Sequence, residues 1–145
     1  MFKKILVATD GSDYGEKAVE VAAEMAANSN GELLILTVVP PLVWPQAMNS
    51  GAFVMDGEVI QMIRDSYSQI LHEARESSFK WAVPKVETKL EDGPVAQVIT
   101  QQAEVGNFDL IVMGSLGHSQ AYSVFLGSVS DRVSRLAKTS VLVVR

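Results

Sequence analysis

Four short segments of this chain are almost uninterrupted runs of branched apolar residues: Ile5–Ala8, Leu33–Val39, Leu110–Met113 and Val141–Val144. A strand made from such a run has no wet face, so the segments between the runs must cover it on both sides. Those segments read as helices. Ala18, Val21, Ala22, Met25 and Ala26 share a face in the first, which stops at Asn28-Ser29-Asn30-Gly31. Ile63, Tyr67, Ile70, Leu71 and Ala74 line up in the second. In the third, Pro94 suits the first helical position, Val95, Val98, Ile99 and Gln102 follow, and Gly106 closes the helix. The fourth starts at Gly127-Ser128 and carries Val129, Val133, Leu136 and Ala137. A fifth strand, Lys85–Leu90, alternates strictly between charged and apolar or Thr residues, the pattern of a sheet edge with one wet face. Five strands alternating with four helices give an α/β fold, an open, mostly parallel sheet with right-handed crossovers. No internal repeat or low-complexity linker divides residues 1–145, which read as one domain.

Charge excludes several partners. The net charge is −5 and no run of Lys or Arg occurs, whereas nucleic acid and anionic membranes both require a basic face. No apolar stretch approaches the ~18 residues that span a bilayer. The apolar run that begins the chain breaks at Thr9-Asp10, too early for a signal peptide, and there are no cysteines. The expected compartment is the cytoplasm.

The chemistry concentrates where the fourth strand ends. Gly114 closes DLIVMG, Gly117 follows, and Gly127-Ser128 comes nine residues later. Glycines after a buried strand let backbone come close to a ligand, and a helix start that follows them offers free N–H groups to phosphate. Neither GxxxxGK[ST] nor GxGxxG is present, so a nucleotide here is held without a P-loop lysine. Asp10 ends the first strand and is expected to face Gly114 across the crevice where strand order reverses. It suits a ribose hydroxyl or a Mg²⁺ ion; equally, Asp10, Ser12 or Asp13 suits the cap of the helix that follows. Ser128 with Asp131 reads as a capping box, which can coexist with phosphate binding. Arg132, one turn into that helix, reads as solvated. His118 is placed to approach a phosphate, but no nucleophile or second base accompanies it in the sequence, so it reads as exposed. His72 reads as surface, and Glu16, Glu20 and Glu24 as a solvated acidic face. Residues 40–57, with three prolines, Trp44, Met48, Phe53 and Met55, form a long connection that is either a cap on the core or a binding segment.

KKILVATDGS at the start, DLIVMGSLGHS, LGSVSDRV and the terminal VLVVR together resemble the universal stress protein family along the whole chain. The pattern G-x2-G-x9-G-[ST] is met without a gap by Gly114, Gly117, Gly127 and Ser128, and in that family it marks the ATP-binding branch. The resemblance implies a Rossmann-like, adenine nucleotide alpha hydrolase-like sheet ordered 3-2-1-4-5 with helices on both faces. It puts Ala8, Thr9, Asp10 and Val38 at the adenine and ribose. Met113, Gly114, Gly117, His118, Gly127, Ser128 and Val129 would surround the ribose and phosphates of ATP, AMP or ADP, with Mg²⁺ at Asp10. Leu116 stands where relatives often carry a polar or basic residue, and Ser140 where a proline is common. The final strand, Val141–Val144, has no blocking lysine or proline, so the expectation is a homodimer that pairs these strands antiparallel across a two-fold axis.

Three functions follow in order. The first is an ATP-binding stress or signalling protein that changes conformation or partner affinity. The second is a slow ATPase or phosphotransferase, which the lack of a motif lysine and of a base disfavours. The third is a dimeric interaction module holding AMP or no nucleotide.

Overall fold

The computed structural model describes residues 1–41, 57–117 and 127–145. Most of the connection at 40–57, including Trp44, Met48, Phe53 and Met55, and the candidate His118 lie outside the described residues.

The five apolar or alternating segments form strands β1 (Lys4–Ala8), β2 (Glu32–Val39), β3 (Lys85–Asp92), β4 (Leu110–Gly114) and β5 (Ser140–Val144). All neighbours are parallel, in the order β3-β2-β1-β4-β5. The helices are α1 (Asp13–Asn28), α2 (Gly57–Ser78), α3 (Val95–Val105) and α4 (Ser128–Leu136). The expected fold class and strand order both hold.

Because successive residues of a strand point to opposite faces, each central strand contributes to two cores. Ile5, Val7, Leu33, Ile35, Leu110 and Val112 pack under α1, with Leu71 of α2. Leu6, Leu34, Leu36 and Ile111 pack under α3 and α4, against Ala96, Ile99 and Val133. Ile5, Leu6 and Val7 are all fully buried, which is why β1 reads as a continuous apolar run instead of alternating. β3 lies at one edge with Lys85, Glu87 and Lys89 exposed, as its alternation indicates. Glu32 and Glu87 hold the Lys85 ammonium above its ordinary pKa.

Details depart from expectation. The buried stripe of α1 is Ala18, Val19, Ala22, Ala23 and Ala26, rotated from the anticipated face, so that Val21 and Met25 lie at its border. Small residues at Ala22, Ala23 and Ala26 let the helix lie close to the sheet. Pro94 occupies the N-cap of α3, one residue before the expected position. Leu136 is 46% exposed instead of packed, because α4 ends there and the backbone turns to extended at Ala137. In α2 only Leu71 and Ser78 are buried. Its half-buried Tyr67 and Ile70 face a crevice described below. His72 and the Glu16, Glu20, Glu24 row are exposed, as expected. No described helix is long and apolar enough to cross a membrane.

Ile5 and Leu6 are consecutive, yet they serve different cores. Ile5→Ala and Leu6→Ala should each lower unfolding free energy by about 2–5 kcal/mol. Urea titration of both variants checks this, and a near-silent effect at either position would mean that its face is not packed as described.

Candidate functional site

The first lip of the site is the turn from β1 into α1. Thr9 extends the sheet by one residue, its N–H donating to the Leu36 carbonyl at 3.0 Å, and its own carbonyl accepts from Thr37 Oγ1 at 3.1 Å. Thr9 Oγ1 then accepts the Gly11 N–H at 3.2 Å, and Asp10 Oδ1 accepts the Ser12 N–H at 3.0 Å. Ser12 is the cap of α1, taking the Gly15 N–H at 3.2 Å. Of the three candidate caps, then, Ser12 fills the role, and Asp10 braces the turn with one oxygen.

The second lip follows β4. Gly114 and Gly117 do different things there. A Cβ on Gly114 would stand 2.8 Å from the backbone of Tyr14, so this glycine lets α1 lie against the strand end. A Cβ on Gly117 would stand 2.7 Å from Asp10 Oδ2. The residue facing Asp10 across the crevice is therefore Gly117, whereas Gly114 was expected there.

Ser115 fastens this lip. Its N–H donates to the Val144 carbonyl of β5 at 2.7 Å, and its carbonyl accepts the Gly127 N–H at 2.6 Å and Ser130 Oγ at 3.0 Å. Ser130 Oγ also lies 3.0 Å from the Gly127 carbonyl. The segment between Ser115 and Gly127 is thus tied end to end. Gly127 is the N-cap of α4 and supplies no side-chain cap, so Ser128 is the first helical residue and the anticipated Ser128–Asp131 capping box is absent. The sequence signal was a true helix start displaced by one residue. Asp131 instead lies beside Arg135, Oδ1 3.3 Å from its Nε, and Arg132 is exposed.

Between the lips lies a cavity of about 590 Å³, within the 300–1,000 Å³ typical of small-molecule sites. Ala8, Thr9, Asp10, Val38, Met113, Gly114, Gly117, Gly127, Ser128 and Val129 all line it. These are the sequence candidates apart from His118. Leu116, also in the lining, is buried. Sequence reasoning missed one wall, Ser66, Tyr67 and Ile70 of α2, and the apolar floor from Leu36, Pro40, Val95 and Ile99. Tyr67 and Ile70 were legible only as an apolar stripe; nothing in the spacing says that the upper part of the stripe overhangs the strand ends. Burial, and secondly the Asp10 carboxylate, hold the Tyr67 phenol above its ordinary pKa. Among the described lining residues Asp10 is the one charged side chain. Among the described residues no group of three or more His, Cys, Asp or Glu is placed to hold a metal ion.

The family model for the universal stress proteins matches residues 1–145, the whole chain. The chain belongs to the universal stress protein family. Universal stress protein YxiE of Bacillus subtilis is 36% identical over 149 aligned positions, which cover both chains completely. Among solved structures, the universal stress protein UspA from Lactobacillus plantarum superposes with a TM-score of 0.83 at 23% identity, over 99% of this chain and 98% of that one. A universal stress protein crystallised in complex with cAMP superposes with a TM-score of 0.75 at 28% identity, over 99% and 97% of the two chains.

Two measurements check this geometry. Gly114→Ala should cost about 1–3 kcal/mol of stability in the absence of any ligand, because the added methyl meets α1 backbone. Unfolding in urea reads it, and an unchanged midpoint would mean that α1 does not press on the strand end. The second concerns the three tyrosines of the chain. A phenol whose folded pKa is raised contributes stability below its unfolded pKa and loses it as pH rises through the folded value. Tyrosinate absorbance should therefore show a late transition that moves to lower pH in Asp10→Asn and disappears in Tyr67→Phe. A late transition indifferent to Asp10→Asn would separate the two groups.

Proposed function

We propose that this chain binds an adenine nucleotide, ATP by the spacing of its glycines, and acts as a nucleotide-dependent stress or signalling module through conformational change or partner binding. The observation that carries this reading is the convergence of Asp10, Gly117 and the uncapped start of α4 on one cavity. A helix start with no side-chain cap presents first-turn N–H groups and the positive end of the helix dipole, which suit phosphate oxygens. Leu36, Val38, Val95, Ile99 and Met113 give the same cavity an apolar floor for a purine. The family relative solved with cAMP supports a nucleotide as the ligand class.

The donor set fits a metal that arrives with its nucleotide better than a resident one. Mg²⁺ in nucleotide sites is commonly held by one or two carboxylates together with the phosphates, and Asp10 is one such carboxylate. When bound, Mg²⁺ would neutralise phosphate charge. For the rest, backbone N–H groups near Gly127 would orient the phosphates and Asp10 would accept from a sugar hydroxyl.

Fast phosphoryl transfer is not part of the reading. It requires strong charge neutralisation and a positioned base, and the sequence has no Lys or Arg between Gly106 and Asp131 or between Glu32 and Ile63. The same inventory favours one second reading, in which AMP or another nucleotide of low charge occupies the site.

The functional unit in this reading is a homodimer through β5. In the isolated chain Val141, Leu142, Val143 and Val144 are all only half-buried and β5 is a sheet edge, open to pairing.

Heat-denaturing the purified protein and identifying released nucleotide by mass spectrometry tests the ligand. ATP is the expected result, and no nucleotide even after soaking with Mg-ATP would overturn the reading. Gly127→Val should weaken binding by at least tenfold while the helical circular dichroism signal stays unchanged. Sedimentation equilibrium at micromolar concentration should give a dimer, and a monomer there would remove β5 as an interface.

A further inference from the structure

Asp10 Oδ1 is engaged by the Ser12 amide, and Oδ2 lies toward Gly117. Most hydroxyls around it serve the scaffold. Thr9 Oγ1 accepts from Gly11, Ser66 Oγ donates to the Ile63 carbonyl at 2.7 Å, and Ser130 Oγ donates to the carbonyls of Ser115 and Gly127. Tyr67 differs. It forms part of the cavity wall, and its hydroxyl has no hydrogen-bond partner among the described residues. Burial and then the Asp10 carboxylate raise the pKa of its phenol, whose hydroxyl can both donate and accept.

The part of α2 that carries Tyr67 is held from both directions. One turn on, Ile70 packs against the β1–α1 turn so closely that a methyl on Gly11 would stand 2.9 Å from Ile70 Cγ1. Nearly one turn back, Arg64 is paired with Asp92 at the end of β3. A polar group carried on a helix fixed in this way, in the wall of the cavity that Asp10 also lines, is positioned to select a ligand.

We propose that Tyr67 is a specificity-determining residue of the crevice, its hydroxyl and the Asp10 carboxylate together reading the vicinal diol of a ribonucleotide sugar. The proposal rests on the nucleotide-binding reading above. An ionised carboxylate only accepts, whereas a phenol both donates and accepts, so the pair can satisfy two adjacent sugar hydroxyls at once. A 2′-deoxy sugar leaves one protein group without its partner, and a desolvated polar group left so is costly.

Tyr67→Phe removes one oxygen and leaves the ring. Isothermal titration of wild type with AMP and ATP, and with their 2′-deoxy counterparts, should show about threefold to tenfold preference for the ribose forms. In Tyr67→Phe, with its melting transition retained, that preference should fall to within about twofold through weaker binding of the ribose forms. A preference that survives the substitution, or an equal loss for both sugars, would overturn the role of Tyr67 while leaving nucleotide binding intact. Wild type that binds none of AMP, ADP and ATP would overturn the nucleotide reading itself and this proposal with it.

Discussion

A parallel sheet whose central strand has no exposed face imposes nearly everything else in this molecule. Ile5, Leu6 and Val7 are buried from above and below, so helices must return across both faces. Right-handed crossovers then send β1 and its first successors to one side and β4 and β5 to the other. Between β1 and β4 the chain leaves the sheet in two directions, and a gap opens over the strand ends. The crevice is therefore a by-product of covering the core. What the sequence adds is the lining: Asp10 at one lip and Gly117 at the other, with the start of α4 behind them.

The electrostatics of that lining are economical. The N-cap of α4 is a glycine that supplies no side-chain cap, and Asp10 Oδ1 accepts the Ser12 amide of its own turn. A nucleotide bound as proposed would meet dipoles more than charges. Dipoles fixed by the backbone suit recognition, and Asp10 is the one charged side chain among the described lining residues.

Much of the fold was legible because two-sided burial leaves a strong mark. Continuous runs such as Leu33–Val39 have one sensible interpretation, and the alternation of Lys85–Leu90 marks an edge without ambiguity. The site was legible at its glycines but not in what each does. Gly114 and Gly117 look equivalent in sequence, yet one accommodates the backbone of Tyr14 and the other the carboxylate of Asp10. That distinction depends on how near α1 lies to β4, a tertiary distance with no local signature. Tyr67 escaped notice for a related reason: its position in an apolar stripe is the same whether the stripe faces a core or overhangs a cavity. Ser128 was displaced by one residue as a cap because an S-x-x-D pattern fits equally well when the preceding glycine already adopts the extended backbone that a cap requires.

The knot at Ser115 has a consequence for stability. Its carbonyl holds Gly127 and Ser130, so both ends of the intervening segment are anchored to the scaffold whatever lies between them. The entropic cost of closing such a segment grows only with the logarithm of its length, about 0.6 kcal/mol for each doubling. Fixing Ser115 to Gly127 and Ser130 therefore makes the stability of β4 and α4 depend little on the length of chain that joins them.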